Sequence, residues 1–89
     1  MKFIKFTTTR TTGTQETPTT QLVSVEQIVR MYTEQRCYKG EYCPYLVLVP
    51  YGCEGIALEL KPEGTHIMEI IVQFLTDETT VLQITKYLA

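Results

Sequence analysis

Four side chains of this 89-residue chain combine into a thiolate–imidazole set that could ligate a metal or act as nucleophiles: Cys37, Cys43, Cys53 and the single histidine, His66. Three thiolates and an imidazole make a zinc donor set, but structural zinc sites rely on a short knuckle that aims two sulfurs at one ion. Here five, nine and twelve residues separate successive donors, so no metal site is expected. A bridge is the second option, because Cys37-Tyr38-Lys39-Gly40-Glu41-Tyr42-Cys43 is symmetric about Lys-Gly-Glu and a hairpin there would set Cys37 opposite Cys43. The odd third cysteine and a reducing compartment favour free thiols instead. Cys53, in a loop between Gly52 and Gly55, is expected to be the most accessible.

Acid–base chemistry is poorly supplied. The chain has one serine (Ser24), one histidine and one aspartate (Asp77), and neither asparagine nor tryptophan. A Ser24/His66/Asp77 triad lacks the glycine-rich elbow that exposes a nucleophile, and Ser24 reads as a cap or turn former. Glu59 and Glu69 would face each other if Pro62–Gly64 closed a hairpin, although carboxylates on an open sheet face are ordinarily only neighbours. Gly52 and Gly55 lack the strand–glycine–helix setting of a phosphate cradle. The expectation is a protein that is not an enzyme and carries no cofactor.

What remains is aromatic. Tyr38, Tyr42, Tyr45 and Tyr51 fall within fourteen residues, together with Pro44 and Pro50. Tyrosine offers large contact area at low entropic cost, so these four form the candidate interaction surface. The competing reading has two of the rings closing the open end of the core.

The elements that must hold these residues are predominantly strands. Threonine supplies 15 of 89 residues, and its branched Cβ suits a pleated strand. Nine of the fourteen residues from Thr7 to Thr20 are threonine and none is apolar, which predicts a flexible loop. Lys2–Thr8 reads as a first strand. Residues 24–35 fit helix and strand about equally, and the expectation is one helical turn at Val25–Gln27 followed by a strand from Ile28 to about Gln35. Tyr45–Val49, between two prolines, and Ile56–Leu60 form a hairpin around Tyr51–Gly55. Lys61–Thr65 reads as a type I turn with Gly64 at positive φ. That turn decides His66–Leu75 in favour of a strand, despite helical spacing of Ile67, Ile70, Ile71 and Phe74. Thr76–Thr79 turns the chain again, Thr80–Thr85 returns as a strand, and Lys86–Ala89 is a frayed end or short closing helix. The fold expected is β-rich (all-β or α+β): a single small domain over residues 1–89, an antiparallel β-meander with at most one or two short helices.

Lys2-Phe-Ile-Lys-Phe-Thr, Leu22-Val-Ser-Val-Glu-Gln-Ile-Val and Phe74-Leu-Thr-Asp-Glu-Thr together resemble the strand rhythm of small flagellar FlbD-like β proteins over about half the chain. No charged or catalytic signature accompanies that rhythm, so the resemblance implies no activity and no site residues.

Charge sets limits on partners. The net charge is -2, with residues 1–44 carrying six Lys/Arg against four Glu and residues 45–89 two against six acids. No basic run provides the footprint of a nucleic-acid binder or of a membrane-surface helix. No apolar stretch spans a bilayer, and Lys5 interrupts what would be a leader's apolar region, so cytoplasmic residence is expected. The function expected is a small protein–protein interaction module that self-associates as a homodimer. The alternative is a nucleic-acid-related role, through single-strand stacking on tyrosines or as an acidic competitor of a DNA-binding protein.

Overall fold

The computed structural model describes the backbone of all 89 residues and every side chain except those of Arg10, Thr11, Thr12 and Tyr38. It is a small β-rich single domain with one short α-helix. Strand β1 (Phe3–Thr12) pairs antiparallel with β2 (Gln15–Ser24) around Gly13 at φ 64°. Strand β3 (Ile28–Tyr38) pairs with β4 (Glu41–Pro50), and β4 with β5 (Ile56–Glu59), as an antiparallel meander. Helix α1 (Ile67–Thr76) follows, and β6 (Val81–Gln83) then runs parallel to β1, with Phe3 opposite Val81. The two sheets therefore have the orders β2-β1-β6 and β3-β4-β5. Short 3-10 turns occupy Val25–Gln27, Pro62–Gly64 and Thr85–Tyr87.

One core joins both sheets to the helix. β1 turns Ile4 and Phe6 inward, β4 turns Leu46 and Leu48, and β5 turns Leu58, in each case at the two-residue period of a strand. Ile67, Ile71 and Phe74 line one face of α1 at helical spacing and meet them, with Leu60, Ile84 and Leu88 closing the sides. A bridge between Leu60 and Leu88, with hydrogen bonds from Ala89 N to the Glu59 carbonyl oxygen (2.9 Å) and from Lys61 N to that of Tyr87 (2.9 Å), ties the β5 end of one sheet to the segment that follows β6 of the other. The end of α1 is held from a distance in sequence. The Lys2 ammonium donates to the carbonyl oxygens of Phe74 (2.9 Å), Asp77 (2.7 Å) and Thr79, and lies 4.6 Å from the Phe74 ring centroid.

The single turn at Val25–Gln27, the strand starting at Ile28 and the β4–β5 hairpin stand as the sequence predicts. Four expectations are corrected. Residues 7–20 are not a loop: Thr7 pairs with Thr20, Thr8 with Thr19 and Thr9 with Pro18 in the β1–β2 hairpin, and the Thr7 and Thr20 hydroxyls meet at 2.9 Å. This arm is built from backbone pairing and branched side chains, and most of its described side chains face solvent, so it needs no apolar stripe. Gly64 is not at positive φ, because Pro62–Gly64 is a 3-10 turn with proline in its first turn, leading toward a helix. His66–Leu75 is accordingly helical, its isoleucines serving a buried stripe rather than a pleat. The meander holds for β3–β5, whereas the return strand, reached through α1, leaves that sheet and joins β1 in parallel.

Candidate functional site

Strand parity distributes the candidate tyrosines. Because Leu46 and Leu48 face the core, Cys43, Tyr45, Val47 and Val49 lie on the opposite, outer face of β4. Register extends that face across the sheet: Arg30 lies opposite Val49, Tyr32 opposite Val47, Glu34 opposite Tyr45 and Arg36 opposite Cys43. On the other side, Ala57 lies opposite Val47 and Glu59 opposite Tyr45.

The arrangement on this face is specific. The Arg30 guanidinium sits 4.6 Å from the Tyr32 ring centroid, and that of Arg36 sits 5.0 Å from the Tyr45 centroid. The Arg36 Nε also donates to the Glu34 carboxylate. Val47, though on the outer face, is only 3 % exposed, so its neighbours cover it. Gly55 contributes to that cover: a Cβ there would come within 3.1 Å of Val47 Cγ1. Arginine stacked on tyrosine retains its charge while shielding apolar surface, which suits contact with another protein.

Of the four tyrosines expected to form one surface, Tyr45 is the one found here among the described side chains. Tyr42 is three residues from Tyr45, hence on the opposite face of β4, where it is 73 % exposed. Tyr51 lies in the β4–β5 loop, 77 % exposed. The Tyr38 side chain lies outside the described residues. Tyr32 was missed by sequence reasoning, and the signal that could have found it is the period-two run Arg30, Tyr32, Glu34, Arg36.

The cysteines are also separated by parity. Cys37 lies opposite Tyr42, and Cys43 opposite Arg36, so the two sulfurs occupy opposite faces rather than facing each other. The reason is the tip: Lys39 and Gly40, at φ 50° and 80°, make a two-residue turn, not one centred on Gly40 alone. All three thiols are free, with Cys37 and Cys53 exposed and Cys43 half-buried. Partial burial, a hydrogen bond from the Cys43 thiol to Glu59, and the negative charge of Glu59 and Glu41 push that thiol above its ordinary range. Among the described residues no group of three His, Cys, Asp or Glu side chains is placed to hold a metal ion.

Ser24, His66 and Asp77 do not meet. Ser24 precedes the first 3-10 turn, while His66 and Asp77 flank opposite ends of α1, about 16 Å apart by helical rise. Glu59 is on the sheet and Glu69 in the first turn of α1, so the facing pair is not formed. No described helix is long and apolar enough to cross a membrane. No family model, curated protein or solved structure matches this chain.

Proposed function

We propose that the chain is a small, non-enzymatic interaction module that works in the cytoplasm and binds protein, including its own copies, by strand addition at the outer edge of β3. One juxtaposition supports this reading. β3 is an edge strand of eleven residues, and beside its edge stands the arginine–tyrosine face around Val47. An edge strand offers a row of main-chain donors and acceptors to another chain, and adjacent stacked arginines and tyrosines supply side-chain contact. Light scattering after size exclusion, from micromolar to near-millimolar protein, tests self-association: the mass should rise toward twice that of the monomer. A monomer throughout overturns it.

Single-stranded nucleic acid is the second reading, favoured by the same stacks, since a base can replace an arginine over a tyrosine ring. Anisotropy of a labelled single-stranded oligonucleotide separates the two readings. A salt-dependent rise selects nucleic acid, and a flat titration selects protein.

A further inference from the structure

We infer that the β3 edge pairs with the β3 edge of a second copy, antiparallel, about a two-fold axis through Tyr32; this rests on the interaction reading above. Main-chain direction comes first. Leu60 N donates to the Pro44 carbonyl oxygen at 2.9 Å, so the even-numbered residues of β4 direct their main-chain groups to β5 and the odd-numbered ones to β3. The β3 partners of those odd residues are Arg30, Tyr32, Glu34 and Arg36. Met31, Thr33 and Gln35 therefore direct their N–H and C=O groups outward, to the open edge. An axis through Tyr32 places Met31 opposite Thr33 of the second copy, twice, which satisfies these groups reciprocally.

Charge selects this register over its neighbours. With the axis at Tyr32, Arg30 lies opposite Glu34 of the second copy on both sides, and the Tyr32 rings meet in the close spacing of a non-hydrogen-bonded pair. Moving the axis to Thr33 opposes Arg30 to Arg36, and moving it to Glu34 opposes two carboxylates. An axis at Met31 makes no charge pair. An axis at Gln35 sets Glu34 against Arg36, but those two already pair within the chain, whereas Arg30 meets no carboxylate among the described residues. The β-bulge between Ile28 and Arg30 ends the ladder, leaving a short interface suited to reversible association.

Charge reversal on the native chain tests the register. Arg30→Glu and Glu34→Arg should each weaken self-association about tenfold, and the combination should restore it to within about threefold. In a chain with Cys37→Ser, Cys43→Ser and Cys53→Ser, Tyr32→Cys should form a disulfide-linked dimer under mild oxidation. Glu34→Cys should not, because its two copies stand about 13 Å apart along the strands. Circular dichroism verifies folding of each variant, and the reversal pair decides the matter if the cysteine-free chain fails to fold. A dimer indifferent to both reversals, or linked through position 34, overturns this register and leaves self-association standing. A wild type that remains monomeric overturns both.

Discussion

Replacing Lys2 by methionine removes the ammonium that closes the C-terminal end of α1 while keeping a side chain of similar length. In the native protein that ammonium donates to the carbonyl oxygens of Phe74, Asp77 and Thr79 and stands 3.6 Å from Asp77 Oδ1. The last turn of α1 has no basic residue of its own, so the charge facing the negative end of the helix dipole comes from the far end of the chain. A cation there contributes about 0.3–1 kcal/mol, and a hydrogen bond to a charged group about 1.5–3 kcal/mol. The exposed pair with Asp77 adds under about 1 kcal/mol. Two effects offset these contributions: fixing a lysine side chain costs up to about 2 kcal/mol, and water can reach the vacated carbonyls. The side chain is 23 % exposed, which limits but does not abolish that rescue. The net expectation is a loss of about 1–2 kcal/mol in urea unfolding, with Tm falling about 4–8 °C per kcal/mol for a domain this size. Lys2→Arg should fall in between, because a planar guanidinium cannot converge on three carbonyls. Hydrogen exchange should accelerate first at Asp77 N, which bonds Gln73 at 3.1 Å. A Lys2→Met variant within about 0.3 kcal/mol of wild type would refute the reasoning.

Other outcomes follow from the same structure. Gly64→Ala should cost more than about 2 kcal/mol in urea melts, since the new Cβ would lie 2.7 Å from the Tyr87 carbonyl oxygen, whereas Gly40→Ala, at positive φ in open space, should cost about 1 kcal/mol. Phe74→Ala should destabilise by about 3–5 kcal/mol, as its ring is 2 % exposed in the centre of the core. Timed alkylation read by mass spectrometry should label Cys37 and Cys53 before Cys43. Because burial and the neighbouring Glu59 hold the Cys43 thiol above its ordinary range, Glu59→Gln should move the rise of its labelling rate to lower pH.

Legibility from the sequence followed whether local chemistry and tertiary context agreed. Val25–Gln27 and Ile28 were readable because a cap-like serine and a β-branched run sit side by side, and the turn and strand each use their own residues. His66–Leu75 was misread although Ile67, Ile71 and Phe74 have helical spacing, because the Pro-Glu-Gly sequence serves a hairpin or a 3-10 entry to a helix equally well. The Gly64–Tyr87 contact, which excludes a side chain there, joins positions distant in sequence and has no local signature. The candidate face was half legible for a similar reason. Tyr38, Tyr42, Tyr45 and Tyr51 cluster along the chain, yet a strand alternates its faces, so the spacing of three between Tyr42 and Tyr45 separates them. Tyr32 joins Tyr45 only through the register that sets it opposite Val47.

The parallel pairing of β1 with β6 has a kinetic consequence. β1 can zip to β2 within a local hairpin, but its other side waits for a strand that lies 78 positions further along, as the contact between Thr7 N and the Thr85 hydroxyl also shows. Closing so long a loop must be driven by contacts that exist only after closure, which slows the search for the native arrangement. During synthesis Ile4 and Phe6 precede α1 and Ile84, the residues that cover them, by 60 positions or more. Synthesis of β6 and Ile84, rather than completion of the first hairpin, therefore sets the moment at which this core can form.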